Sequence, residues 1–362
     1  MKVLFDHQIF SVQEYGGVSR LFSELYSGLK YFNVESDLSL LVSNNENIKH
    51  LGKKPFFKGY DFWGKLTLME RYNRIFSIKK LLLDTFDIFH PTYFKPYFLP
   101  YLNSRPFVLT VHDMIHEKFY MKMRNSQQII RWKKLLIEKS HAIIAVSQNT
   151  KNDLIKIYNI DPKKIHVIYH GNSLKNPNSK NKRIHLPDTY ILFVGGRKDY
   201  KNFGLFVRAI AKIIKKNDVI KLVCVGGGRF DDNEINLLNS LDMRENVIQL
   251  TLDDEELAYC YHKALCFVFP SLYEGFGIPL VEAFHSGCPV IASKIESFKE
   301  VADDAVIYFD PYSVDSIEQS ISRVMYDDTL RNKLIRLGKL RAKDFSWKKT
   351  IAQTIDVYKS IL

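Results

Sequence analysis

No apolar run in this chain approaches the ~20 residues that a membrane-spanning helix requires, so no such span is expected. The opening MKVLFDHQIF is too short and too acidic for a secretory leader, and a cytoplasmic protein is the expectation. Cysteine is scarce. Cys224, Cys260, Cys266 and Cys288 all lie in apolar surroundings and form no C-x-x-C pair. That spacing argues against zinc and for buried, reduced thiols. The Gly226-Gly227-Gly228-Arg229 run resembles half a phosphate loop but lacks the G-K-[ST] ending of an ATPase. A G-x-S-x-G nucleophile elbow is also missing. Solenoid repeats and extended low-complexity segments are absent.

Positive charge is what the chain has in excess. The net charge of +12 could serve nucleic acid, an anionic membrane face or phosphorylated substrates. Nucleic acid ranks last, because Lys and Arg are spread along the chain with no recognition motif. Two stretches, 56–83 and 118–139, interleave basic residues with Phe, Trp, Tyr and Leu. Such helices can lie on an anionic membrane surface, or simply cover a sheet and present a solvated basic face.

Short apolar runs at 2–5, 38–42, 86–89, 107–111, 142–146 and 165–168 alternate with helical patterns at 18–31, 62–83, 124–139 and 148–157. Strands alternating with helices predict a mostly parallel, doubly wound α/β sheet. A polar, Asn- and Lys-rich break follows, and the pattern then restarts at 190–196. Strands are expected at 221–228, 246–250, 265–269, 289–292 and 305–309, and helices at 203–215, 313–326 and 328–343. The reading is a first Rossmann-like domain over 1–172, a linker over 173–189 and a second domain over 190–345.

The segment 274–282, EGFGIPLVE, carries the chemistry. A buried strand at 265–269 runs into a glycine-broken turn and then a helix over 279–286, with Pro279 in its first turn and Gly287 ending it. Gly275 and Gly277 let amides turn toward an anion at the helix start, while Glu274 and Glu282 offer acceptors to hydroxyls. That combination suits a nucleotide-sugar. Arg197 and Lys201 follow the strand at 190–195, where cations could meet a diphosphate. Gly16 and Gly17 open a helix, either for a tight turn or for a ligand near its amides. His112 directly follows a strand; it could be a site residue or a core histidine oriented by Asp113. Ser147 reads first as a helix N-cap.

The E-x7-E spacing of Glu274 and Glu282 resembles that of retaining glycosyltransferases of the GT4 family, which have the two-domain GT-B fold. YGGVSR at 15–20, TVHDMIHEKF at 110–119, IIAVSQNTKNDL at 143–154, VIYHGN at 167–172 and VGGRKDYKNF at 194–203 follow in that family's order. Within it they look most like bacterial mannosyltransferases of surface-polysaccharide and O-antigen (lipopolysaccharide) assembly. The resemblance implies that Arg197 and Lys201 meet the donor diphosphate, Glu282 the ribose, and Glu274 and His112 the sugar near the reacting carbon. Gly16, Gly17, Gly196 and the backbone of Gly275, Phe276, Gly277 and Ile278 would complete the donor site, with Glu274, His112, Arg197 and Lys201 as the catalytic set. It further implies that a C-terminal helix at 346–362 packs back onto the first domain.

The expected partners are a nucleoside diphosphate sugar, with GDP-mannose ahead of UDP- or dTDP-sugars, and a lipid-linked saccharide acceptor. The protein would be peripheral on the cytoplasmic face of the inner membrane. No metal or other cofactor is expected, since the Asp-x-Asp motif of metal-dependent transferases is absent. A non-hydrolysing nucleotide-sugar epimerase and a non-catalytic nucleotide-sugar-binding subunit are the alternatives.

Overall fold

The computed structural model describes residues 1–52, 56, 62–122, 125–175 and 184–362. The stretch 176–183 of the expected linker, and parts of the two basic-aromatic stretches at 57–61 and 123–124, lie outside the described residues. The chain divides into two units, Met1–Gly171 with Trp347–Leu362, and Asn172–Ser346.

The first unit holds β1 (Lys2–Phe5), β2 (Glu35–Leu38), β3 (Ile88–His90), β4 (Val108–Val111), β5 (Ala142–Ala145) and β6 (Ile165–Val167). They form two parallel ladders, β2-β1-β3 and β4-β5-β6, joined by a single parallel bridge between Phe89 and Phe107. The inner strands are buried along their length, which fits their near-continuous apolar sequence.

The outermost strand β2 departs from expectation. Pairing uses 35–38, not the apolar run 38–42. As an edge strand it tolerates the polar Glu35, Ser36 and Asp37, none of them fully buried. The run beyond is diverted because the Asn73 side chain takes the Leu41 and Val42 N–H groups, at 2.9 and 3.0 Å.

Helix Gly17–Leu29 buries Leu21, Phe22, Leu25 and Leu29 in the core of this unit. The C-terminal helix Trp347–Ser360 adds Ile351, Ile355, Val357 and Tyr358 to the same core. Tyr358 shares a 2.6 Å hydrogen bond with His90 Nδ1, and Thr350 donates to the Tyr169 carbonyl at 2.7 Å. At ~25 cal/mol per Å² of apolar surface, docking these four side chains contributes on the order of several kcal/mol.

The second unit is one six-stranded parallel sheet, order β12-β11-β10-β7-β8-β9. Its strands are β7 (Tyr190–Val194), β8 (Lys221–Val225), β9 (Val247–Leu250), β10 (Cys266–Phe269), β11 (Val290–Ser293) and β12 (Val306–Phe309). Strand order reverses at the centre, between β7 and β10, so the loops leaving their carboxyl ends flank a switch point where such sheets bind ligands. Helix Phe203–Ile214 packs Phe206, Val207 and Ile210 into the core, joined by Ile317 and Ile321 of helix Val314–Met325. All four cysteines belong to this unit, buried and unpaired as thiols, and burial raises each thiol above its ordinary range.

Candidate functional site

The loop after β10 and the loop after β7 meet at the switch point. Leu272 donates its N–H to the Tyr200 carbonyl at 2.7 Å, which stitches the two loops together. Lys201 closes the short 3₁₀ turn Asp199–Lys201, and Asn202, at φ 58°, turns the chain into helix Phe203–Ile214. This places Lys201 Nζ 2.5 Å from Glu274 Oε1. The same carboxylate oxygen accepts the Ser271 hydroxyl at 2.7 Å. The Lys201 ammonium also lies 5.4 Å from the centre of the Phe269 ring, on the last residue of β10. A cation and an anion are therefore held together, with little solvent around either.

Glu274 leads into the helix Ile278–Ser286. Gly277 is its N-cap at φ 99°, where a Cβ would stand 2.9 Å from the Phe298 ring, so only glycine fits. Pro279 occupies the first turn, where its missing N–H costs nothing, and Gly287 ends the helix at φ 71°. Phe276 is buried edge-on against Phe345, with ring centres 5.6 Å apart. Glu282, buried on this helix, accepts the Tyr261 hydroxyl at 3.3 Å. Burial, and then the neighbouring Glu282 charge, hold the Tyr261 phenol protonated far above its ordinary range. Gly196 has open space where a side chain would project.

Arg197 differs from expectation. Its Nε donates to Glu234 Oε1 at 2.7 Å, and its terminal nitrogens donate to the carbonyls of Gly226, Gly227, Gly228 and Arg229 at 3.0–3.3 Å. The guanidinium lies 4.6 Å from the Phe230 ring centre, and the side chain is only 3% exposed. Three successive glycines at φ 84°, 72° and 72° turn their carbonyls onto this one cation. A Cβ on Gly227 would stand 2.6 Å from the Arg197 Nη1. The fork expected on a diphosphate is occupied by protein acceptors, so Arg197 shapes the loop after β8. Glu234 in turn closes a capping box with Asp231 at the start of helix Asp232–Ser240.

The remaining candidates belong to the first unit. Gly16 and Gly17 sit at the start of helix Gly17–Leu29, Gly17 exposed and Gly16 in extended backbone. His112 follows β4, with its ring 6.0 Å from Phe22 and stacked at 6.4 Å on His170. The residue keeps some surface, yet its Nε2 is enclosed and meets no hydrogen-bond partner. Burial, and secondarily the charge of Lys133, pushes its pKa down to about 3. The imidazole is therefore neutral near pH 7. Asp113 holds the loop, accepting the Ile115 N–H at 3.0 Å. Lys133, fully buried, donates to Glu117 and to the Asp113 carbonyl beneath it. Ser147 caps helix Gln148–Tyr158.

The structure thus gathers Lys201, Glu274, Gly275, Phe276, Gly277, Ile278, Glu282 and Gly196 in one unit, and Gly16, Gly17 and His112 in the other. Ser271, Tyr261 and Glu234 were not found from sequence. Ser271 reads as a strand stop, and Tyr261 and Glu234 reach their partners across 21 and 37 residues with no local pattern to mark them.

Residues 15–176 match the family described as Glycosyltransferase Family 4, and residues 175–341 match Glycosyl transferases group 1. O-antigen chain mannosyltransferase B of Escherichia coli is 35% identical over 173 residues, which are 47% of this chain and 45% of that protein. The N-acetylgalactosamine-N,N'-diacetylbacillosaminyl-diphospho-undecaprenol 4-alpha-N-acetylgalactosaminyltransferase of Campylobacter jejuni is 32% identical over 58% of each chain. The chain spans about half the length of these two curated relatives. Among solved structures, sucrose-phosphate synthase from Thermosynechococcus elongatus superposes with a TM-score of 0.78 at 19% identity, covering 99% of this chain and 98% of that one. The fold is GT-B.

Proposed function

We propose, since the chain belongs to the family 4 glycosyltransferases, that it moves a hexose from a nucleoside diphosphate sugar to a hydroxyl of a lipid-linked saccharide in surface-polysaccharide synthesis. The observation that carries this reading is the Lys201–Glu274 pair at the switch point, beside a glycine-capped helix start and the buried Glu282. A diphosphate needs a cation where its leaving oxygen gains charge, and Lys201 provides one beside the loop amides. Glu274 and Glu282 provide acceptors for sugar and ribose hydroxyls.

The glycosidic C1–O bond to phosphate breaks and the acceptor oxygen bonds C1 on the same face. The acceptor's proton leaves on the departing phosphate. This retaining course uses no protein nucleophile. Hydrolases that retain configuration place two carboxylates about 5 Å apart for that purpose; here Glu274 is engaged by Lys201 and Ser271, which suits positioning instead. Metal is not required in this scheme, because Lys201 and the amides take the leaving group's charge.

GDP-mannose is the first donor to test. The relatives support a mannosyl reading through the Escherichia coli protein and a lipid-linked acceptor through the Campylobacter one, whose names differ in the sugar moved. A thermal-shift screen of GDP, UDP, dTDP and their hexose conjugates reads the donor, since bound ligand raises the melting temperature. A shift with GDP and GDP-mannose alone is expected. A uridine or thymidine preference overturns the mannosyl assignment, and no shift with any nucleotide overturns the transferase reading. Transfer in EDTA checks metal independence, and product analysis separates transfer from epimerisation.

A further inference from the structure

The two basic-aromatic stretches fold into helices Lys65–Leu83 and Ser126–Lys139. The first leaves Leu68, Ile75 and Leu82 exposed. The second turns a lysine inward: Lys133 is wholly buried with Leu136 and Ile137, and the transfer scheme above gives it no part. Its ammonium donates to Glu117 Oε2 at 2.9 Å and to the Asp113 carbonyl at 3.0 Å, and lies 5.0 Å from the centre of the Phe94 ring. Glu117, its side chain 5% exposed, accepts the Tyr158 hydroxyl on its other oxygen at 2.7 Å. A buried ion pair adds little stability over apolar residues of similar volume, because both ions lose their water. Stability alone does not account for this one.

What the pair holds is the chain that carries His112. Asp113 follows His112 directly, and Glu117 lies on the short helix Ile115–Lys118. Four residues are too few to hold a helix by themselves, since nucleation fixes several residues for one hydrogen bond. This one is pinned at three successive side chains. His116 shares a 3.1 Å hydrogen bond with Ser126, Glu117 meets Lys133 and Tyr158, and Lys118 pairs with Asp153 at 2.8 Å. His112 itself has no such hold. Among the described residues no hydrogen bond reaches its enclosed Nε2, so the rings of Phe22 and His170 and its own backbone aim it. Lys133 fixes that backbone one residue on, at the Asp113 carbonyl.

We propose that Lys133 and Glu117 are positioning residues for transfer, a buried clamp that sets the His112 ring through the Asp113 carbonyl. This role presupposes the transfer reading above, with His112 as a part of its site. Burial first, and the nearby Lys133 second, also keep the ring uncharged, so it enters the reaction as a neutral imidazole. A brace that served only the fold would lose stability and activity together when removed. A clamp that serves His112 lets the two come apart.

The test replaces the pair by uncharged residues of similar size, Lys133→Met with Glu117→Gln, in the full chain. With no ion left unpaired, the melting temperature should stay within about 5 °C of wild type. Turnover should still fall by about ten- to a hundred-fold, the cost of moving a reacting group by ~1 Å, with KM for the donor within about three-fold. His112→Ala should lower turnover to a similar extent. Adding the double change to it should cost about two-fold at most, because the clamp acts through that ring. The His112 imidazole resonance, assigned by its disappearance in His112→Ala, should shift and broaden when the pair is replaced. Should the double variant not fold, Tyr158→Phe removes one hydrogen bond from Glu117 and is read by the same resonance. Three results overturn the proposal: turnover of the double variant within about two-fold of wild type, the same fold-loss with and without His112, or an unmoved His112 resonance. A wild type that transfers no sugar from any nucleotide overturns the transferase reading instead, and the resonance then decides the clamp by itself.

Discussion

Replacing Arg197 by Ala should unfold the second unit at a lower temperature before it tells anything about phosphate. The guanidinium is 3% exposed and satisfies Glu234 together with the carbonyls of residues 226–229. Its loss strands a carboxylate and turns four carbonyls toward an apolar hole beside Phe230. Removing one partner of a buried pair costs ~3–5 kcal/mol. Glu234 keeps 15% of its surface and a second partner in the Asp231 N–H, which lowers the figure to about 2–3 kcal/mol. For a unit of this size, spanning Asn172–Ser346, each kcal/mol moves the midpoint by about 2–4 °C. A drop of about 4–12 °C follows for Arg197→Ala by scanning calorimetry. Arg197→Lys should fall between, because an ammonium can pair Glu234 but cannot span the loop. Glu234→Gln tests the other half of the lock and should also lower the midpoint. A midpoint for Arg197→Ala within about 1 °C of wild type, with transfer abolished, would refute this reasoning and return the fork to the diphosphate.

Tyr261→Phe removes the hydroxyl that steadies Glu282 and should weaken nucleoside diphosphate binding about 3–10-fold in titration calorimetry, with unchanged affinity detaching Tyr261 from the site. Acid should destabilise the first unit through His90, His112 and His170, each pushed down to about 3 by burial from an ordinary 6.5. The folded rings stay neutral while unfolded ones take up protons, so this stability is complete above pH 6.5 and is lost as pH falls from there toward 3. By pH 5 the loss is about 1–2 kcal/mol per histidine. His90→Gln should flatten the dependence of melting temperature on pH between 7 and 5, and an unchanged slope would contradict it.

The alternation of strands and helices was legible because parallel strands buried on both faces leave continuous apolar runs, as at 107–111 and 265–269. The apolar run after edge strand β2 does not pair, because its Leu41 and Val42 N–H groups are taken by Asn73, from a helix some thirty residues on. Local sequence also marked the glycine-capped turn at 277, since only a left-handed residue allows the chain to enter that helix. It could not mark the protein partners of Arg197. Whether a cation after a strand faces a ligand or its own protein depends on the 226–229 carbonyls, contributed by the next strand's loop. The same limit applies to helix Lys65–Leu83, whose composition matches that of Ser126–Lys139 but whose apolar line faces the other way.

Lys201 and Glu274 pose the sharpest separation of charge from catalysis. They neutralise each other at 2.5 Å, with side chains 16% and 12% exposed. A nucleoside diphosphate must draw Lys201 at least partly from its carboxylate, and that exchange opposes binding. Glu274→Ala removes the competitor while Lys201 keeps its place on the short turn after β7. Free nucleoside diphosphate should therefore bind Glu274→Ala as tightly as wild type or tighter, by up to about five-fold if the pair is worth ~1 kcal/mol. Lys201→Ala should bind it more weakly, since the cation is gone and Glu274 then faces the phosphates unopposed. Transfer should be lost in both, by about a hundred-fold or more, because one removes the leaving group's counter-charge and the other the sugar's anchor. Titration calorimetry with the free nucleotide decides it. If Glu274→Ala loses affinity as far as Lys201→Ala does, the two side chains do not compete, and the ion pair is a structural brace with no part in receiving the donor.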